Sequence, residues 1–281
     1  MGRLKNTLSL IKFSHTLFAL PFALASMLVA ANGLPPLRLF LLILACMVTA
    51  RTAGMAFNRY LDAAIDARNP RTAGREIPRG VVSRRFTLGL SLVSAFLFVL
   101  SAAAINPLCL RLSPVALFFL FFYSYTKRFT FLAHLFVGLA LGIAPIGAWI
   151  AITGQFALEP FVLGLSVLFW VAGFDIIYAT LDHEFDRKER LHSLVVRLGL
   201  KKALLVSRLF HLTTMILFFL FGILIDANRG FWLALAVCSL LLVYEHSLVK
   251  PDDLSKVNAA FFNMNGYISI VFLAGVILSV Y

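Results

Sequence analysis

Residues 39–66 read Leu39-Phe-Leu-Leu-Ile-Leu-Ala-Cys-Met-Val-Thr-Ala-Arg51-Thr-Ala-Gly-Met-Ala-Phe57-Asn58-Arg-Tyr-Leu-Asp62-Ala-Ala-Ile-Asp66. The run from Leu39 to Phe57 carries a single charge and is long enough to cross a hydrocarbon core of about 30 Å as a helix of about 20 residues. Its end runs straight into polar groups at 58, 62 and 66. At about 100° per residue a step of four advances 400°, so Asn58, Asp62 and Asp66 are predicted on one helical face. Arg51 lies two turns earlier on that face.

Similar apolar runs recur at about 14–33, 86–105, 108–125, 130–152, 161–181, 203–225, 231–249 and 258–280. They predict an all-α, polytopic membrane protein of nine transmembrane helices, because only helices satisfy every backbone group within lipid without closing a barrel. The composition agrees. Of the 281 residues, 61% are hydrophobic and 14% charged, against roughly 25% charged in soluble chains, and the mean hydropathy is +0.92. This excludes a soluble enzyme. Arg3, Lys5 and Lys12 before the first run, with Ala30 and Ala31 after it, imitate a signal peptide, but His15 and Pro21 fit a retained helix better. Cys46, Cys109 and Cys238 are far apart and odd in number, so neither a disulfide framework nor a metal site is expected of them.

The formal charge of +12 is topological. Twenty of the 25 Lys and Arg fall in the N-terminus and the loops at 58–85, 126–129, 182–202 and 250–257. The positive-inside rule places these in the cytoplasm and Tyr281 outside, and nucleic acid is unnecessary. Trp149 and Trp232 then sit at outer helix ends. The expected location is a bacterial cytoplasmic (inner) membrane, with the N-terminus cytoplasmic.

The acids are rarer and more clustered. Seven of 13 lie in two segments, as Asp62, Asp66, Asp175, Asp182, Glu184, Asp186 and Glu189. The second segment reads Tyr178-Ala-Thr-Leu-Asp182-His-Glu-Phe-Asp186 and repeats the spacing of the first at an offset of 120. Two parallel four-helix repeats are expected, about 10–130 and 131–250, with a ninth helix at about 258–280. Together they form a single domain over 1–281 that encloses a central cavity, the acid clusters facing across a pseudo-twofold axis. Carboxylates four apart repel, and a helix C-terminus is already negative. A hard divalent cation would relieve both, and Mg²⁺ binds through one or two carboxylates while substrate phosphates complete its shell. Two Mg²⁺ around a diphosphate suit Asn58, Asp62, Asp66, Asp182 and Asp186. The plainer alternative is pairing with Arg59, Arg68, Arg187 and Lys188.

Basic groups nearby are candidate diphosphate or substrate ligands: Arg51, which is costly to bury without a partner, Tyr123 with Lys127 at i, i+4, Lys12 with His15, and Arg71 and Arg75 in the Pro- and Gly-broken loop at 68–80. Most of the 28 Phe are packing or lipid-facing residues; some could line a groove for an isoprenoid chain and offer π faces to a cation.

These motifs resemble the UbiA superfamily of intramembrane aromatic prenyltransferases. N-x-x-x-D-x-x-x-D stands as Asn58, Asp62 and Asp66, and Y-x-x-x-D-x-x-x-D as Tyr178, Asp182 and Asp186. The likeness extends to Lys12 and His15, Arg51, the Arg71 to Pro78 loop, Tyr123 and Lys127, and Phe185-Asp-Arg-Lys188 to His192-Ser193. It is nearest to the 4-hydroxybenzoate polyprenyltransferase branch of ubiquinone biosynthesis. The resemblance implies a nine-helix fold with a portal open to lipid, and ionisation of a polyprenyl diphosphate. An aromatic carbon ortho to a phenol then attacks the allylic cation. Lys127 and Arg residues would stabilise the leaving diphosphate, Arg51 would hold the acceptor's carboxylate, and Asp62 or Asp175 would assist proton removal. Glu184, beside His183, departs from the common second motif. Gly173 to Ala179 and Leu191-His-Ser193 also resemble relatives that prenylate dihydroxynaphthoate in menaquinone biosynthesis. A cation-coupled transporter stays open as a non-enzyme reading, although acids at helix ends in basic surroundings suit a diphosphate better. A phosphatidyltransferase is discounted because its D-G-x-x-A-R opening is absent. Oligomeric state is not legible from the sequence.

Overall fold

The computed structural model describes Thr7, Ser9, Leu10 and residues 16–281. Among these every extended element is helical. In chain order the helices are α1 (Thr16–Ala31), α2 (Leu37–Arg68), α3 (Arg84–Ile105), α4 (Pro107–Thr126), α5 (Ala133–Thr153), α6 (Leu158–Ala179), α7 (His183–Lys188), α8 (Leu194–Leu224), α9 (Arg229–Ser247) and α10 (Asn265–Val280). A 3₁₀ turn at Thr180–Asp182 joins α6 to α7, and a π-helical turn at Ala259–Met264 leads into α10. Eight of these segments are long and apolar enough to cross a membrane, and Phe18–Ala31 is a shorter apolar helix. The protein is an all-helical integral membrane protein.

Two span boundaries differ from the sequence expectation. The run at 39–57 is only part of α2, whose 32 residues extend about 48 Å at 1.5 Å per residue. The surplus over the bilayer carries the first acid cluster. The connection at 182–202 is not a plain loop, because α7 and the start of α8 lie within it. Gly199, at φ 76° and ψ 164°, breaks α8 near its start in a backbone region that a side chain disfavours.

The chain forms two compact units. One is built on Leu37–Tyr125, with α3 packed along α2 and the described N-terminal residues attached. There the Ser91 hydroxyl donates to the Ala53 carbonyl (2.9 Å). The other comprises Leu17–Pro36 and Thr126–Tyr281. Its core is aromatic: Phe22, Trp170, Phe218 and Phe272 meet at ring separations of 4.4–5.7 Å. Such pairs add about 0.5–1.5 kcal/mol each beyond area burial. The outer face of α8 exposes Leu205, Leu209, Leu212, Ile216, Phe219 and Ile223. A stripe of that width at helical spacing suits acyl chains, which solvate apolar side chains as water does not.

Candidate active site

In the first unit the α2 cluster is one helical face, as its spacing predicts. Asp62 and Asp66 are 2% and 5% exposed. The Asn58 amide donates to Asp62 Oδ2 (3.2 Å) and to the Ser124 hydroxyl (3.4 Å) of α4. Burying two carboxylates requires compensation, and arginines supply it. Arg75 Nη1 donates to Asp66 Oδ1 at 2.7 Å, and Arg59 Nη1 lies 3.9 Å from Asp66 Oδ2. Arg59 Nε also donates to the Leu10 carbonyl (3.3 Å). Arg51 and Asp62 are both within electrostatic reach of Tyr123, as is Arg59. The structure therefore brings Arg51, Asn58, Asp62, Asp66, Arg75 and Tyr123 together, with Arg59 among them.

The basic loop after α2 is an ordered cap. Asn69 Oδ1 accepts from the Arg71 N–H (2.9 Å), and the Thr72 hydroxyl donates to the Asp66 carbonyl (3.0 Å). Successive turns place the Thr72 carbonyl under the Arg75 N–H (2.9 Å). This folding delivers Arg75 to Asp66 and leaves the Arg71 residue exposed. Ser9 donates to Glu76 on the same loop.

The second unit arranges its acids differently. The Thr180 hydroxyl donates to the Ile177 carbonyl (2.6 Å), and the chain tightens into the 3₁₀ turn before α7 begins. A turn with three residues per repeat thus lies between Tyr178 and Asp182, and α7 runs on from His183 past Asp186. Tyr178 stacks on Phe261 (centroids 4.2 Å apart, 26° between planes). Asp182 and Asp186 are half-buried, whereas the Glu184 side chain is 89% exposed beside His183 (3.5 Å).

Lys127 follows directly on α4, which ends at Thr126. The Thr126 carbonyl accepts from both the Phe129 and Thr130 N–H groups (3.1 and 2.9 Å). The Lys127 carbonyl accepts from the His192 N–H (2.8 Å), and Arg197 lies over the Phe131 ring at 3.9 Å. These contacts tie the Lys127 turn to the segment after Asp186. Lys12 and His15 lie outside the described residues.

Two pairs escaped the sequence reading. His134 of α5 has its Nδ1 2.6 Å from Asp175 Oδ2 of α6, and Glu245 of α9 accepts from the Asn265 amide of α10 (3.0 Å). The signal for the first was a lone His in an apolar run, four and eight residues before Gly138 and Gly142. Among the described residues no three His, Cys, Asp or Glu side chains converge to hold a metal by themselves. An oxygen-only pair such as Asp62 and Asp66 still fits Mg²⁺, which takes much of its shell from substrate phosphate and water.

Known proteins are similar to this chain in sequence and in fold. The family model described as the UbiA prenyltransferase family matches residues 19–267. A protein of Vibrio campbellii named 4-hydroxybenzoate octaprenyltransferase is 31% identical over 258 residues, covering 90% of this chain and 89% of that one. A protein of the same name from Francisella tularensis subsp. novicida is 30% identical over 256 residues, covering 90% and 89%. The apo structure of a UbiA homologue from Aeropyrum pernix K1 superposes with a TM-score of 0.86 at 33% identity, covering 94% of this chain and 97% of that one. A UbiA homologue from Archaeoglobus fulgidus, solved bound to DMAPP and Mg²⁺, shares the fold with a TM-score of 0.75 at 22% identity, covering 98% and 99%. The chain belongs to the UbiA prenyltransferase family, and is a membrane-embedded prenyltransferase.

Proposed function

We propose that the enzyme transfers a polyprenyl group from a polyprenyl diphosphate to a ring carbon of 4-hydroxybenzoate, ortho to the phenol, in a Mg²⁺-dependent reaction. The observation that carries this reading is the α2 cluster, in which Asp62 and Asp66 are buried, Asp66 against Arg59 and Arg75, on the helix that also carries Arg51. Acids and guanidinium groups together suit a polyanion that arrives with cations. The relatives named for 4-hydroxybenzoate support the choice of acceptor, and the Archaeoglobus homologue bound to DMAPP and Mg²⁺ is a precedent for the donor.

Asn58, Asp62 and Asp66 would hold one ion, and Asp182 and Asp186 a second. Bound there, Mg²⁺ supplies charge neutralisation of the diphosphate as the allylic C–O bond weakens. The remaining work belongs to side chains. Arg75 and Lys127 donate to diphosphate oxygens, with Arg71, Lys12 and His15 completing the donor set. Tyr123 and Tyr178 border the reacting end, and Arg51 pairs with the acceptor's carboxylate. The helices form two four-helix repeats and a last helix around a cavity open to lipid. The enzyme sits in a bacterial inner membrane with its N-terminus in the cytoplasm.

Purified protein with labelled polyprenyl diphosphate tests this. It should prenylate 4-hydroxybenzoate with Mg²⁺, lose activity on chelation, and recover it when Mg²⁺ is restored. Turnover with dihydroxynaphthoate but not with the benzoate would move the acceptor and keep the chemistry. Full activity in EDTA would overturn the metal assignment.

A further inference from the structure

α5 and α6 are close enough that only hydrogen fits at Gly138, Gly142 and Gly164 on their seam. A methyl on Gly138 would lie 2.2 Å from the Leu168 carbonyl oxygen, and one on Gly142 2.4 Å from that of Gly164. Pairing 138 with 168 and 142 with 164 runs the helices antiparallel, and continuing that register brings the start of α5 to the last turns of α6. His134 and Asp175 meet there. The His134 side chain is 5% exposed and that of Asp175 29%, so the open member of the pair is the carboxylate. His134 Nε2 is buried, with no hydrogen-bond partner among the described residues.

Those facts assign the tautomer. A hydrogen on Nε2 would be a buried donor with nothing to receive it, and would turn the Nδ1 lone pair onto a carboxylate oxygen 2.6 Å away. With the hydrogen on Nδ1, the imidazole donates to Asp175 and leaves only an unmet acceptor, the cheaper defect. The imidazole thus clamps Oδ2 of Asp175 and leaves Oδ1 to take a proton. Asp175 lies one turn before Tyr178, on the helix that leads into the second acid motif.

We propose that His134 is a positioning residue that fixes Asp175 as the acceptor of the proton lost from the aromatic ring; this rests on the prenyl transfer proposed above. As the allylic C–O bond breaks, its electron pair leaves with the diphosphate. A π pair of the ring forms the new C–C bond. The pair of the ring C–H bond then restores aromaticity while the proton passes to Asp175 Oδ1, and His134 keeps its own N–H throughout.

The test uses the full-length enzyme with Mg²⁺, polyprenyl diphosphate and whichever aromatic acid the wild type prenylates, with hydrogen or deuterium at the ring position that receives the chain. His134→Leu should lower kcat for transfer by about tenfold or more, leave KM for both substrates within about twofold, and leave acceptor-independent release of diphosphate at the wild-type rate. A primary deuterium isotope effect should emerge in this variant. His134→Asn, whose amide can donate from a similar position, should recover most of the loss. Combining His134→Leu with Asp175→Asn should cost no more than Asp175→Asn alone, because both remove the same step. Equal loss of transfer and diphosphate release with no isotope effect would mean that the pair only staples two helices, and would overturn the assignment, as would wild-type transfer by His134→Leu. A wild type that transfers to no aromatic acid would overturn the function and this assignment together, which separates the two failures.

Discussion

The two acid motifs share a spacing and differ in almost everything else. Around Asp62 the chain is one uninterrupted helix, the carboxylates are buried, and Arg59 and Arg75 reach the same aspartate. Around Asp182 the helix is broken by a 3₁₀ turn and the acids are half-buried. The position offset by 120 also differs. Tyr60 occupies it in the first motif; in the second, Thr180 turns its hydroxyl back onto the Ile177 carbonyl. Identical spacing thus sits on one regular helix in the first motif and across a 3₁₀ turn in the second. The first motif is a preformed, charge-compensated site. The second carries its acids on a joint, a place where 3₁₀ geometry often marks a functional hinge.

The largest effect that sharpens this contrast is Asp62→Ala. Loss of charge stabilisation at the leaving group should lower kcat by more than about 10²-fold, measured as product formed from labelled polyprenyl diphosphate. Asp182→Ala should fall into the same range if the motifs act together; wild-type turnover in it would leave the α2 cluster as the whole metal site. Arg75→Ala comes next, with an expected loss of about 10–100-fold and a lowered Mg²⁺ requirement, because Asp66 would lose the cation that competes with the ion for its oxygens. A titration of rate against Mg²⁺ checks this. Thr180→Val keeps the branched shape and removes the hydroxyl. It should cost about 0.5–1.5 kcal/mol, seen as lowered thermal stability in detergent, with a drop in turnover of less than about tenfold. The smallest effect is expected of Glu184→Gln: the side chain is exposed, and surface changes away from special features stay within about 0.5 kcal/mol. A large loss of Mg²⁺ affinity in that variant would make Glu184 a ligand and bring the second motif closer to the first.

Much of this was legible in the chain. The helical phase of Asn58, Asp62 and Asp66 could be read because α2 continues at 3.6 residues per turn to Arg68. At Tyr178, Asp182 and Asp186 a 3₁₀ turn interrupts that regular step, which the spacing did not announce. Arg59 was foreseen as an acid partner and is one, at Asp66. The contact of Arg75 with Asp66 was not legible in the chain, since the turns at 69–79 carry that arginine back over α2.

The sequence by itself determined the membrane class, the helix inventory, the family and the identity of the acids, because hydrophobicity and helical period are properties of neighbouring residues. Tertiary structure alone decided which arginine compensates Asp66. It also decided that His134 meets Asp175. That last contact joins residues 41 apart in the chain, and it exists because Gly138 and Gly142 let two helix backbones come within reach. No local pattern encodes such a distance; the packing of one helix on another sets it.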